Sequence, residues 1–437
     1  MKVAVVGAGW AGMAAAVAAT LKGHHATVFE ASRAVGGRAR ALKSTLPDGT
    51  PVTLDNGQHI LIGAYSETLR LMRLVGMAPE KVLLRTPLNL LFSDGMGLAL
   101  PRWPSPLDAL GGMLVARGWR WSDKMSLLKA AIGWQLHGFT CPPHTSVAEL
   151  CAQLSTRVRE TLIDPLCVSA LNTPASRASG QVFLRVLKDS LFGGPGSSNL
   201  LLPTADLGSV FPEVAASWLQ SQGGALRLGE RVDALQWKSD GGPQRWTVNG
   251  EPFDAVVWAT SSSFAAQALA NAAQAAPESI ASQLQNWSSI ARGLQFEAIA
   301  TVYAWSSEAR LSQPMLSLHS HCGTPTQAPH PAQFVFDRGQ LGGPAGLLAF
   351  VVSASASDRE SIQQQVLAQA QSQLGLQFQP VLTVVEKRAT FACTPALVRP
   401  PMLVAPGFVA CGDYVDGPYP ATLEGAIRSG WAAGAAW

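Results

Sequence analysis

The first thirty residues constrain the fold more than any other stretch. In Val3-Ala-Val-Val-Gly7-Ala8-Gly9-Trp10-Ala11-Gly12, an apolar run meets glycines at GxGxxG spacing, and an Ala-rich run continues to about Lys22. The pattern predicts a buried strand over Lys2–Val6, a tight turn and a helix. Gly7 permits the turn, Gly9 lets a pyrophosphate approach the backbone at the helix N-terminus, and Gly12 lets helix and strand pack closely. A second strand, Ala26-Thr-Val-Phe29, ends at Glu30 and Ala31, with Glu30 eighteen residues after Gly12. An acidic side chain there accepts hydrogen bonds from ribose hydroxyls. The uncharged run from Val3 to Leu21, preceded by Lys2, also has the length and flank of a signal peptide or membrane span. The glycine spacing favours the strand–turn–helix. No other stretch is long and apolar enough to span a bilayer, so a cytoplasmic location is expected.

A chain of 437 residues is long enough for two or three domains. Apolar residues make up 47%, which excludes a disordered chain. Charged residues make up only 14%, against roughly 25% in average proteins. With 13 Trp, that deficit implies apolar surface to be covered by ligand, partner or lipid. A net charge of +3 without a dense Lys/Arg run argues against nucleic-acid binding. The six cysteines show no CxxC pair and read as reduced, buried thiols. His319-Ser-His321-Cys322 has no second cluster to complete a metal site, and no metal is expected.

Ser32-Arg-Ala-Val-Gly36-Gly37-Arg38 follows the Glu30 strand and resembles the xGGR segment of the flavoproteins that include amine oxidases, protoporphyrinogen oxidases and carotenoid desaturases. The resemblance implies that this backbone and Arg38 lie against FAD phosphates and the ribityl chain. Leu226-Arg-Leu-Gly-Glu-Arg-Val232-Asp-Ala-Leu235 alternates like a strand, and in this group the Val232 position clamps adenine through its backbone. Asp254-Ala-Val-Val-Trp-Ala-Thr260 reads as a strand running into a Ser-rich turn. Gly407-Phe-Val-Ala-Cys-Gly412-Asp413 is a strand before a helix beginning near Ala421. By resemblance, Asp413 meets the ribityl chain, and the backbone at Thr422 and Leu423 faces the flavin. The expected fold is α/β: a Rossmann-like FAD-binding fold with a discontinuous mixed α+β substrate domain. The FAD-binding part comprises 1–82, 202–260 and 401–437, and the substrate part 83–201 (helical) and 261–400 (sheet). Breakers at Pro101–Pro106, Gly193-Gly-Pro-Gly, Gly241-Gly-Pro, Gly323-Thr-Pro and Gly339–Pro344 punctuate the pieces.

Asp55-Asn-Gly57-Gln58-His59-Ile-Leu-Ile-Gly-Ala-Tyr65, Asp164-Pro-Leu-Cys-Val-Ser-Ala-Leu-Asn172-Thr-Pro and Gly417–Gly430 narrow the resemblance to the squalene-associated FAD-dependent desaturases, a family of hydroxysqualene dehydroxylases in bacterial hopanoid biosynthesis. The resemblance spans essentially the whole chain. It implies FAD, a C30 isoprenoid substrate, hydride transfer from reduced flavin to an allylic alcohol, and squalene-pathway synthases as partners. No Cys or His falls in a flavin-linkage motif, so the FAD is expected to be non-covalent, and no second GxGxxG marks an NAD(P)H site, so an external electron donor is expected. A carotenoid- or phytoene-type desaturase is the alternative, running the opposite redox direction on a similar lipid. A flavin-containing lipid carrier would bind without turnover. The Gly57-Gln58 turn should pass the flavin. His59 is a candidate proton donor or holder of the substrate oxygen, Asp164 a candidate acid with an extended backbone fixed by Pro165, and Asn172 a candidate for positioning the hydroxyl. Asp416 ranks below them. Between Trp103 and Phe139, tryptophans and apolar side chains are interspersed with Arg117, Arg120, Lys124 and Lys129, and Arg102 immediately precedes the stretch. That pattern suits a membrane surface on the cytoplasmic face of the inner membrane, or else core helices with snorkelling cations.

Overall fold

The glycine-turn unit forms as its sequence predicts: strand Lys2–Val6, helix Trp10–Leu21 and strand His25–Glu30. A computed structural model describes residues 1–104, 106–238, 245–323 and 328–437. The breakers at Ser105, at Gly241-Gly-Pro and in the Thr-Pro after Gly323 lie outside the described residues. The chain returns to the first sheet from far downstream. The strand order is Ala225–Leu228, His25–Glu30, Lys2–Val6, Ala255–Trp258, Phe408–Ala410, Leu403–Ala405. The first five are parallel and the last is antiparallel. Parallel strands buried on both faces read as unbroken apolar runs, and every residue of Ala255–Trp258 is buried.

Helix Trp10–Leu21 is buried from Trp10 to Ala19 because helix Leu423–Gly434 lies directly on it. The closeness is set by missing side chains. A Cβ on Gly430 would lie 2.0 Å from the Ala11 carbonyl oxygen, and one on Gly434 2.1 Å from that of Ala15. Only glycine fits at either position. Glu424, fully buried, accepts hydrogen bonds from the Glu67 and Thr68 N–H groups and the Thr68 hydroxyl, and pairs with Arg428 at 2.7 Å. It thereby satisfies the open N-terminus of helix Ser66–Leu74.

Downstream, an antiparallel sheet has the order Met315–Ser317, Phe334–Asp337, Leu347–Ser355, Phe296–Trp305, Gln379–Phe391. Alternation decides its two faces. Ala300, Val302, Val335 and Phe350 pack on helix Arg359–Leu374, while Ile299, Phe334, Phe336 and Val351 face a cavity. The helical layer comprises Leu107–Val115, Trp121–Leu136, Asp164–Leu171 and Gly180–Phe192, with shorter turns between them.

Several details differ from expectation. The alternation from Leu226 to Leu235 is not one strand: it stops at Leu228, turns at Gly229 (φ +73°), and resumes as Leu235–Trp237 in a separate three-stranded sheet. The Ser-rich turn after Thr260 immediately becomes helix Ser262–Ala273. Strand Leu200–Pro203 pairs with both Leu61–Ile62 and Leu83–Thr86, so one small sheet straddles the expected boundaries after 82 and 201. Four cysteines are buried, but Cys322 is exposed and Cys141 half-buried. Among the described residues, no helix is long and apolar enough to cross a membrane.

Candidate active site

A cavity of about 1040 Å³ begins at the carboxyl ends of the parallel strands, where open α/β sheets bind ligands. Gly7, Glu30, Ala259 and Gly412, from four of those strand ends, line it together with the second sheet and the helical layer.

The three turn glycines have separable reasons. Gly7 adopts φ +109°, and its N–H donates to the Phe29 carbonyl at 2.7 Å. A Cβ on Gly12 would lie 1.8 Å from the Gly7 oxygen, so the fold itself demands glycine there. At Gly9 the nearest atom to such a Cβ is the Gly37 Cα at 3.9 Å, an ordinary contact. Gly9, the N-cap of the helix, lines the cavity, so a side chain there would take up space open to a ligand rather than meet the protein. Gly36 (φ +107°) donates its N–H to Ala8 O at 2.9 Å, which fastens the Gly36-Gly37 turn across the first one. Glu30 accepts from the Ala8 N–H at 2.8 Å and the Ser32 N–H at 2.9 Å, leaving lone pairs on both oxygens. Val232 lies nearby, and its N–H and C=O make no hydrogen bond among the described residues. Across the cavity, helix Leu423–Gly434 begins at Thr422, whose hydroxyl accepts from the Gly425 N–H at 3.0 Å. An open glycine cradle, an acidic residue with free lone pairs, an unused backbone edge and a helix N-terminus fit a flavin cofactor.

Of the residues expected at the cofactor, Gly7, Gly9, Trp10, Ala11, Glu30, Ala31, Gly36, Gly37, Arg38, Gly57, Gln58, His59, Val232, Gly412, Asp413, Thr422 and Leu423 line the cavity. Ala8 and Gly12 support it from behind. Arg38 and Asp413 face each other: Nη2 donates to Oδ1 at 2.6 Å, while Nη1 donates to the Ala389 carbonyl at 2.5 Å. The Asp413 carboxylate raises the guanidinium pKa, so the arginine side chain is fixed as a cation in the cavity wall.

The expected reaction residues fare differently. His59 lines the cavity, and its Nδ1 hydrogen-bonds the Gly57 carbonyl at 2.9 Å. A carbonyl only accepts, so the ring proton sits on Nδ1. Burial, with the charge of Arg38, pushes the pKa below its ordinary value, opposed by that bond. His59 is therefore a neutral imidazole whose Nε2 accepts; it has no proton to donate. Asp164 is exposed and does not line the cavity. Nor is its backbone extended: it has φ −64°, ψ −47°, directly after the π turn Arg159–Ile163. That turn's wider hydrogen-bond register accommodates the missing Pro165 N–H. Asn172 touches the cavity, but its amide is committed. It donates to Thr390 Oγ1 at 2.9 Å and accepts from the Ala354 N–H at 2.8 Å, stitching helix to sheet at a left-handed φ of +46°. Asp416 is exposed and pairs with Arg399 at 3.0 Å.

Sequence reasoning missed two tyrosines. Tyr65 and Tyr419 line the cavity beside the start of helix Leu423–Gly434, ring centroids 6.5 Å apart in an edge arrangement. The guanidinium groups of Arg428 and Arg185 lie 4.8 Å and 5.6 Å from the Tyr419 ring centroid, and the Asp189 carboxylate is close enough to raise the phenol pKa. Burial raises both phenol pKa values, so each side chain keeps its proton. The available signal was tyrosine scarcity, four in the chain, with one between prolines at Pro418-Tyr419-Pro420.

Behind the site, Asp55 is buried, and its Oδ1 accepts from the Leu207 N–H at 2.8 Å. Burial pushes its carboxyl up to about 6, against the Leu207 bond and the charge of Arg338. The folded protein thus holds a proton there that the unfolded chain releases near 3.8, so stability falls as pH rises between those values. Asp55→Asn keeps the acceptor and removes the titration. The stability of the variant relative to wild type should rise by up to about 3 kcal/mol between pH 4 and 6.5, then level off, in denaturant titrations across that range.

Beyond the tyrosines the cavity turns apolar, between the helical layer and the sheet face carrying Ile299, Phe334, Phe336 and Val351. Two carboxylates border this lobe: Asp189 on the helical side, which Arg185 pairs with at 2.5 Å, and Glu386 on the sheet side opposite Ile299.

The family model for flavin containing amine oxidoreductases matches residues 10–436. The chain is 26% identical to a hydroxysqualene dehydroxylase of Rhodopseudomonas palustris over 98% of its length and 96% of the relative. It is 23% identical to one of Sinorhizobium fredii, covering 98% and 95%. An oxidoreductase from Methanosarcina mazei superposes with a TM-score of 0.71 at 16% identity, covering 98% of this chain and 99% of that one, which shows the shared fold. With a flavin cradle at the strand ends and a family match across nearly its whole length, the chain belongs to the flavin-containing amine oxidoreductases.

Proposed function

We propose that the protein binds FAD non-covalently and reduces hydroxysqualene to squalene for hopanoid synthesis. The observation that carries this is the apolar lobe continuing the flavin cradle. A cationic amine substrate needs a free carboxylate, but Asp189 is paired with Arg185, and Glu386 accepts from the Arg388 N–H and the Asn56 amide and lies in the field of Arg38. A long hydrocarbon needs only the Leu, Ile, Val, Phe and Met side chains that line it. Full-length relatives named hydroxysqualene dehydroxylase support the same choice.

The net change replaces an allylic C–O bond with C–H: a hydride reaches carbon, and a proton leaves with the hydroxyl as water. Reduced flavin, when bound, supplies the hydride. The chain's own task is to hold the hydroxyl, provide the proton and exclude water. Tyr419 is suited to the first two roles, because its phenol keeps its proton and lies at the flavin end; after the proton leaves with the hydroxyl as water, solvent restores it once product departs. Tyr65 donates beside it, and His59 Nε2 accepts. The apolar lobe excludes competing water from the allylic cation formed as the C–O bond opens. With a single GxGxxG in the chain, electrons reach the flavin from an external donor.

An anaerobic single turnover tests the reading. Chemically reduced protein mixed with hydroxysqualene should yield one squalene per flavin oxidised, on one time course, and acid precipitation should release the flavin intact. Reduced flavin that persists beside bound substrate, while the oxidised protein desaturates a polyene, assigns the chain to desaturases instead. Tight binding with turnover in neither direction makes it a carrier.

A further inference from the structure

We propose that helices Leu107–Val115 and Trp121–Leu136 seat the protein on an anionic lipid bilayer, with the cavity opening directly into the acyl region. Their outward faces are inverted. On the first, the exposed stripe is Leu107, Leu110 and Leu114, with Trp103 beside it. On the second it is Trp121, Met125, Ile132 and Leu136, of which Trp121 is 71% and Leu136 81% exposed. A helix on a water-facing surface turns such a stripe inward. Contiguous apolar surface with a polar rim marks an interaction site.

Charge selects the partner. From Met96 to Leu136 the cations are Arg102, Arg117, Arg120, Lys124 and Lys129, and the anions are Asp108 and Asp123. Both aspartates are buried: Asp108 accepts from the Ser198 hydroxyl at 2.7 Å, and Asp123 from the Arg120 N–H at 2.8 Å. The exposed side therefore presents cations with no exposed carboxylate among the described residues of this stretch. Cations and indoles around an aliphatic patch match the headgroup and upper acyl zones of an anionic leaflet. The cavity provides a second, independent observation. Leu107, Leu110 and Ile132 are exposed on this patch and also line the cavity, so the mouth opens within it. Delivery of the lipid substrate through that mouth rests on the function proposed above; the docking itself does not.

The test is co-sedimentation of the flavin-loaded full chain with vesicles of equimolar phosphatidylglycerol and phosphatidylcholine, and with phosphatidylcholine alone. Wild type should pellet with the anionic vesicles, less as salt rises. Combined Leu114→Glu, Trp121→Glu and Leu136→Glu, none of which lines the cavity, should weaken partitioning by about tenfold or more. Flavin content and turnover of detergent-dispersed substrate should remain as in wild type. Wild type that stays in the supernatant, or a triple variant that pellets equally, overturns the proposal. So does a lipid-free dimer that the triple variant dissociates and vesicles leave intact, because the patch then covers a second copy. Vesicle binding without turnover would sink the functional reading and leave the docking in place.

Discussion

Gly9→Ala should give a folded protein that purifies without flavin, whereas Gly12→Ala should compromise the fold itself. The two positions lie three residues apart in one turn, and sequence alone treats them alike. Their surroundings differ. The methyl group at Gly9 meets nothing of the protein closer than 3.9 Å and takes up cavity space. The methyl group at Gly12 would sit 1.8 Å from the Gly7 oxygen, inside bonding-contact range. Either helix and strand must separate or the turn must break. Overpacking of this kind costs about 3 kcal/mol or more, a large fraction of a domain's stability. Flavin absorbance per chain and the midpoint of thermal unfolding separate the two effects. A Gly9→Ala protein that retains full flavin would remove the ligand-based explanation for that glycine.

Tyr419→Phe should slow the anaerobic single turnover by about a hundredfold, the low end of what a positioned proton donor contributes. Substrate binding and flavin content should change little, because the ring stays and only the hydroxyl leaves. The arginines at 4.8 Å and 5.6 Å continue to hold the ring face. The pH profile provides the readout that a packing role would not move. Burial raises the phenol above its ordinary value of 10.0, and the donor must be protonated. The wild-type rate should therefore hold through the ordinary phenol range and fall only above it, while the variant shows no alkaline loss from this group. If Tyr65→Phe is slow and Tyr419→Phe is not, the two tyrosines exchange roles.

The nucleotide half was legible because local rules and ligand demands coincide there. Gly7 and Gly12 are required by backbone geometry, Gly9 suits an approaching anion and Glu30 suits a hydroxyl-bearing sugar, and their spacing leaves one topology. The reaction end was not, because its chemistry depends on what lies behind each side chain. His59 was correctly placed at the cavity, yet its proton is fixed by the Gly57 carbonyl two residues away. Asn172 looked available until the second sheet supplied partners from Thr390 and Ala354. Asp164 was drawn inward by its family-specific segment, but a π turn just before it leaves the side chain outside. Tyr65 and Tyr419 are 354 positions apart in the chain, and no periodicity joins them. The strand Gln379–Phe391, interrupted by Glu386, Lys387 and Arg388, escaped notice for a related reason. Its half-exposed edge position relaxes the apolar pattern that betrays a central strand.

The contact of Gly430 and Gly434 with Ala11 and Ala15 also dictates an order of events. The first helix is made early, but the helix that covers it and frames the flavin end is made about four hundred residues later. During synthesis the opening strand–turn–helix must wait with its apolar face uncovered while both excursions emerge. Cofactor capture is then a late checkpoint: a chain halted before Phe408 lacks a strand and a wall of the cradle, and should leave the ribosome unable to retain flavin.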